Sequence, residues 1–159
     1  VSDCASCSGT LKHIGSYLED DPDWHERAAA FSHKAMDLTE YLDGVGYRPR
    51  QQRDATFTYH DPCHLVRGQG IRKQPRKLLQ AAGTFVEMDA ADTCCGGAGS
   101  FHVDYPGIAA SILAKKQQNI EATGAGIVVS ACPGCLIQLT KAAQNSGNKF
   151  KAMHISQVI

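Results

Sequence analysis

The chain has 159 residues, with 16 basic and 16 acidic side chains, a formal net charge of zero and seven cysteines. That length suffices for one packed domain with an appendage, and the balanced charge points away from nucleic acid or an acidic membrane surface as partner. No apolar run approaches the ~18 residues of a membrane span and no stretch reads as a secretory signal, so an odd, clustered set of cysteines favours metal or redox chemistry over a disulfide framework.

The first residues, Val1-Ser2-Asp3-Cys4-Ala5-Ser6-Cys7-Ser8-Gly9-Thr10-Leu11, reappear as Val129-Ser130-Ala131-Cys132-Pro133-Gly134-Cys135-Leu136-Ile137-Gln138-Leu139, with Val, Ser, both Cys and Leu identical. A second echo pairs Lys34-Ala35-Met36-Asp37-Leu38-Thr39-Glu40-Tyr41-Leu42 with Lys151-Ala152-Met153-His154-Ile155-Ser156-Gln157-Val158-Ile159. Two matches in the same order indicate an internal repeat. On this reading residues 1–47 are the end of a first copy whose beginning is missing, 48–54 are a linker, and 55–159 are a complete second copy. Within the first copy, Leu11, Ile14 and Leu18 recur at helical spacing. Asp21-Pro22 reads as an N-cap with proline in the first turn of a helix bearing Trp24, Ala28 and Phe31. A short strand is expected at Ala35–Leu38, and the polar, glycine-containing stretch from Gly44 to Arg53 reads as connecting chain.

The second copy alternates strand and helix. Thr56–His60 has the composition of a strand, and Arg67–Gln74 reads as loop. A helix is expected from Pro75, burying Leu78, Leu79 and Ala82 and ending at Gly83. Thr84–Met88 is the next expected strand, and Ile108, Ile112, Leu113 and Ile120 mark one face of a long helix ending before Gly124. Gly126–Ser130 is apolar enough for a strand buried on both faces. A helix opened by Pro133 carries Leu136, Leu139 and Ala143, and Phe150–Ile155 closes the unit. Strands separated by helices require crossovers, so the expected fold class is α/β, a parallel sheet flanked by helices in Rossmann-like βαβ units.

The chemistry is concentrated in three cysteine groups: Cys63 in His60-Asp61-Pro62-Cys63-His64, the pair Cys94-Cys95 before Gly96-Gly97-Ala98-Gly99, and Cys132-Pro133-Gly134-Cys135. Thirty residues separate Cys63 from Cys94, and thirty-six separate Cys95 from Cys132. Adjacent side chains in extended chain point to opposite faces, and a disulfide between neighbours is strained. A glycine-rich turn can nevertheless aim both sulfurs at one point. Each group follows a predicted strand, which places all five thiols at the C-terminal edge of the sheet, where ligands bind in open α/β folds. Cys132 and Cys135 also fall at a helix N-terminus, which favours thiolate, the form that soft metals and iron–sulfur clusters bind. Backbone N–H groups at Gly96 and Gly97 can hydrogen-bond the sulfur centre.

The combination of Asp61-Pro62-Cys63-His64, Pro75-Arg76-Lys77-Leu78-Leu79, Cys94-Cys95-Gly96 and Cys132-Pro133-Gly134-Cys135 resembles the cysteine-rich CCG domain. That domain occurs in heterodisulfide reductases and in the iron–sulfur subunits of glycolate oxidase and lactate dehydrogenase. The resemblance covers residues 55–159 and, as the end of a preceding copy, 1–47. It implies that Cys63, Cys94, Cys95, Cys132 and Cys135 hold a [4Fe–4S] cluster, non-cubane in some relatives, with zinc as the alternative occupant. It further implies electron transfer within an oxidoreductase complex containing flavin and other iron–sulfur subunits, together with the missing N-terminal part of the same chain. The expected location is cytoplasmic, including a peripheral position at the inner face of the membrane. Cys4 and Cys7 would belong to the site of the first copy, incomplete here because its other cysteines are absent.

Other readings stand beside these. Five thiols could make a four-ligand structural zinc site with one cysteine spare, or a metal-free dithiol centre. His60, His64 and His102 near the cysteines read as hydrogen-bonding groups behind the ligands rather than ligands, His64 foremost. Arg72, Lys73, Arg76 and Lys77 read as a solvated face or as a docking face for an acidic subunit. Gly96-Gly97-Ala98-Gly99 lacks the spacing and trailing acid of a dinucleotide loop.

Overall fold

The computed structural model describes residues 1–159 and is built on four parallel strands. These are β1 (Thr56–Tyr59), β2 (Thr84–Phe85), β3 (Ile127–Ser130) and β4 (Lys151–His154), in spatial order β2-β1-β3-β4. Tyr59 sits opposite Val129, and Ser130 opposite His154. Alternation along β1 and β3 divides the core into two layers. Phe57, Tyr59 and Val129 face one side with Leu65, Ile71, Leu79, Ala82 and Ile155. Val128 faces the other with Met88, Leu113, Ile120, Leu139, Ala142 and Phe150. Both central strands are thus covered on both faces, as in parallel sheets generally.

The first layer is closed by α4 (Cys63–Val66) and α5 (Lys73–Ala82). The second is closed by α7 (Pro106–Ala122) and α8 (Pro133–Asn145). A four-residue α6 (Phe101–Asp104) follows the CCGG loop; its shortness leaves no period to detect in the sequence. The strand expected over Thr84–Met88 stops at Phe85. Val86 still donates to the Phe57 carbonyl at 2.8 Å, but the chain then leaves the sheet and drives Met88 into the core below α7. Helix α5 begins at Lys73, two residues before Pro75, leaving that proline in the first turn where its missing N–H costs nothing.

The buried stripe of α7 is Ala109, Leu113, Lys116 and Ile120, whereas Ile108, expected inside, is exposed. The CCGG loop presses on this helix at Ala109, whose carbonyl lies 2.9 Å from where a Cβ on Gly96 would stand. That contact is with the helix backbone, so it is position 96 that must lack a side chain.

Residues 1–47 add α1 (Ala5–Tyr17), α2 (His25–Lys34) and α3 (Leu38–Gly44). Asp21 caps the approach to α2 through Oδ1, accepting from the N–H groups of Asp23 and Trp24, and the helix proper starts at His25. The strand expected at Ala35–Leu38 is a single parallel bridge, Ser2 to Asp37, because Asp37 turns at once into the N-cap of α3.

The two segments aligned by sequence share this geometry. Helices α1 and α8 are both 13 residues long, with Cys4 and Cys132 as N-caps. The Ser2–Asp37 bridge falls where Ser130 pairs with His154. Asp37 with Glu40, and His154 with Gln157, form capping boxes at matching positions. The segments touch where the Ala5 N–H donates to the Ala131 carbonyl at 3.0 Å, and Ala5 is fully buried in the first core layer.

Candidate metal centre

The chain reverses direction across the sheet between β1 and β3, which are neighbours although their connections leave to opposite sides. This is the place where an open α/β sheet forms a crevice beyond its strand ends. Cys63 lies there at the start of α4 and Cys132 at the N-cap of α8. The loop after β2 returns to the same crevice with Cys94 and Cys95. All five cysteines line one cavity of about 230 Å³, with His60, His64, His102, Ser6 and the Gly97–Gly99 turn. That is smaller than the ~300–1,000 Å³ typical of organic-ligand pockets.

The five sulfurs are not equivalent. Cys95 and Cys132 are buried, Cys63 and Cys135 are half-buried, and Cys94 is exposed at the mouth. Cys135 is the hub. It has a single S–H to share between the sulfurs of Cys132 and Cys95, and with burial this holds its own proton well above the ordinary thiol range. The same sharing pulls Cys95 down to about 4 and Cys132 to about 5, against the opposing effect of burial. His60 and the Gly97 N–H add to the stabilisation of Cys95. The N–H groups of Cys135 and Gly134 and the Ser6 hydroxyl do so for Cys132. At the mouth, the Gly96 N–H donates to Cys94 Sγ at 3.2 Å.

Glycine is required at the loop for two separate reasons. Gly96 has φ +83°, in the left-handed region, and a Cβ on Gly97 would lie 2.9 Å from Cγ of Gln138 on α8. The loop is thus wedged between α7 and α8, which turns Cys94 and Cys95 inward together.

Three residues carry more of the site than sequence reasoning assigns them. His60 is buried against Cys95 and Cys135, and the donor atoms of all three lie within 4.8 Å of one another. Its Nδ1 is buried without a partner, as a group awaiting a ligand would be. Ser6, contributed by α1, places Oγ 2.8 Å from His64 Nδ1 and 3.7 Å from Cys132 Sγ. His64 therefore reaches the sulfurs through this serine rather than directly. The only sequence trace of Ser6's role is its position inside Cys4-Ala5-Ser6-Cys7, aligned with Gly134 of the cavity wall. Lys116 lies buried behind the CCGG loop. A lysine on an otherwise apolar helical stripe is its visible signal. Cys4 and Cys7 do not line the cavity. Cys4 Sγ accepts from the Cys7 N–H at 3.4 Å, and Cys7 is exposed.

Asp61 of the Asp-Pro-Cys-His motif is an anchor rather than a ligand. It is buried, takes both ends of the Arg76 guanidinium at 2.9 Å, and its N–H donates to the Ala91 carbonyl. Arg76 also pairs with Glu87 at 2.6 Å. This fork ties the Cys63 turn to α5 and to the chain leaving β2. The basic run is largely consumed by such pairs, since Arg72 holds Asp92 and Lys77 holds Asp43. A pair broken by removing Arg76 would leave a buried carboxylate uncompensated, a loss of ~3–5 kcal/mol.

Fold and site together define a parallel α/β domain with a multi-thiol centre at the carboxyl ends of its strands. The family whose model matches residues 57–140 is the cysteine-rich CCG domain, and the chain belongs to that family. Over its whole length it is 32% identical to a probable glycolate oxidase iron-sulfur subunit of Bacillus subtilis, of which it spans 37%. It is also 32% identical to lactate utilization protein A of Lysinibacillus sphaericus, spanning 72% of that protein. Identity is again 32% to one of the subunits of fumarate reductase (CoM/CoB) from Methanothermobacter marburgensis, of which the chain spans 31%. The chain thus covers from about a third to under three quarters of these relatives. No helix is long and apolar enough to cross a membrane.

Proposed function

We propose that the chain is an iron–sulfur, electron-transferring part of an oxidoreductase of the glycolate- or lactate-oxidising type. Its centre would be a [4Fe–4S] cluster held by Cys63, Cys94, Cys95, Cys132 and Cys135. The observation that carries this reading is the convergence of all five thiols on one small cavity. The donor set fits such a group. Two of the thiols are already thiolate-stabilised, N–H donors point at the sulfurs of Cys94 and Cys95, and the buried Nδ1 of His60 lacks a partner. When bound, the cluster would supply one-electron redox chemistry.

The chain's own residues would do the rest. Cys132 and Cys135 anchor at the α8 N-terminus, and Cys95 at the wedged glycine loop. Five ligands exceed the four an ordinary cubane needs, and the exposed Cys94 would be the ligand held least by the rest of the site. His60 and Ser6 hydrogen-bond the buried sulfurs, and the two core layers exclude water from behind. Residues 1–47 read as the end of a first copy of the same unit, 48–54 as the linker and 55–159 as the complete second copy. Cys4 and Cys7 would then serve the first copy's centre. Partners in this reading are the remainder of a longer chain and flavin-containing and iron–sulfur subunits, at a cytoplasmic location.

Anaerobic purification with iron and acid-labile sulfide analysis tests the assignment. The expected result is a brown protein with roughly four irons and four sulfides per chain. A colourless protein with about one zinc would favour a second reading, in which His60, Cys95 and Cys135, with Cys132 beside them, hold a structural metal. The 4.8 Å grouping of those three donors supports it. That protein should unfold on chelation.

A further inference from the structure

Lys116 is 1% exposed on the inner stripe of α7, between Leu113 and Ile120. Long cationic side chains normally carry their charge out to water; this one turns inward. Its Nζ donates to the carbonyl oxygens of Ala90 at 2.7 Å and Ala91 at 3.3 Å, and lies 4.0 Å from Met88 Sδ. It takes part in none of the protein's six ion pairs. Placing an ammonium in an apolar core without a carboxylate is costly, and burial lowers the pKa of Lys116 accordingly.

The charge does face anions, though none in contact. The interactions that favour its charged form come from Cys95 first, then Asp92, Asp61 and Cys94. Asp61 already holds both ends of Arg76, and Asp92 pairs with Arg72. That leaves the Cys94–Cys95 pair, three residues on from the turn that holds Nζ and packed on the same helix through Gly96, as the centre that Lys116 faces. The backbone between β2 and Cys94 supports this placement. Ala90 is held at φ +52°, unusual for a residue with a Cβ, and aims its carbonyl at Nζ while also accepting from Thr93. The Ala91 carbonyl is shared with the Asp61 N–H. The turn therefore solvates the ammonium and fixes it behind the Cys94–Cys95 loop.

We infer that Lys116 is the fixed counter-charge of the thiolate centre, a positioning residue that favours the reduced state of whatever redox group the five cysteines hold. The inference rests on the iron–sulfur reading for its redox consequence. Reduction adds one electron and moves no atom at Lys116; the ammonium lowers the energy of that added negative charge through the low-dielectric core.

The test uses the full chain, loaded anaerobically with iron and sulfide, in wild-type, Lys116→Met, Lys116→Gln and Lys116→Arg forms. Midpoint potentials are read by titration, and thermal stability is read on the same proteins without metal. Met and Gln should each lower the equilibrium constant for reduction tenfold or more, a shift of about 59 mV to lower potential for one electron. Arg should stay near wild type. Potentials unchanged in Met and Gln would overturn the inference and leave Lys116 as a clamp on the turn.

If no form takes up iron and sulfide, the iron–sulfur reading fails on its own, and the metal-free melting temperatures decide the counter-charge. A cation kept for the centre is dispensable to the bare fold, so Lys116→Met should melt no lower than wild type. A clear fall would show a structural clamp.

Discussion

Each of the five cysteines has a different neighbourhood, and the difference is physical. Cys135 stands between Cys95 and Cys132 and has one S–H to share with them, so replacing it removes the link between two buried sulfurs. Cys94 stands at the mouth with a single N–H donor from Gly96. Cys135→Ser should therefore abolish metal and sulfide uptake, while Cys94→Ser should leave a centre with an altered electron paramagnetic resonance signal. Metal analysis of the two variants side by side checks this. Equal loss in both would point to a rigid site in which every thiol is indispensable. Ser6 works at the same scale, since one hydroxyl from α1 links His64 to Cys132.

At the scale of elements, the glycine loop between β2 and α7 decides whether Cys94 and Cys95 face the cavity. Gly96 combines φ +83° with a 2.9 Å approach to the Ala109 carbonyl, while Gly99 has φ +52° and open space around it. Gly96→Ala meets both backbone strain and α7, and should cost ~2–4 kcal/mol with loss of metal retention. Gly99→Ala meets strain alone, ~1–2 kcal/mol. Urea unfolding of the two variants reads the difference, and equal midpoints would mean the loop is not wedged as described. The Arg76 fork acts in parallel by fixing the Cys63 turn to the chain leaving β2.

Over the whole molecule, residues 1–47 are part of the centre's wall. Ala5 is fully buried in the first core layer, and Ser6 lines the cavity. Removing residues 1–47 should uncover Leu65 and Ile71 beside Cys132, lower the melting temperature and speed loss of bound metal. Comparison of the 48–159 fragment with the full chain measures both. A fragment that matches the full chain in stability and metal retention would make the first segment an independent neighbour. The matched helices α1 and α8, and the matched capping boxes at Asp37 and His154, give the two segments a common local design.

What could be read from the sequence was what depends on local order. Strand–helix alternation implies a parallel sheet, and cysteines placed just after strands fall at its carboxyl edge. Both are consequences of chain geometry over a few residues, and the all-parallel four-stranded sheet agrees with them. Tertiary structure decided what depends on distant neighbours. Ile108 is expected inside because its side chain is apolar, but the folded helix turns Ala109 inward and leaves Ile108 in solvent. Arg76 and Lys77 look like free surface charge until folding brings Asp61, Glu87 and Asp43 to them. Lys116 breaks an apolar stripe for no local reason; its partners are carbonyls more than twenty residues away, behind the thiols. Ser6 reaches Cys132 only because two segments 126 residues apart pack together. Period and spacing describe which way a side chain points from its own element, whereas the charge or hydrogen bond it meets there is set by elements the chain reaches only after folding.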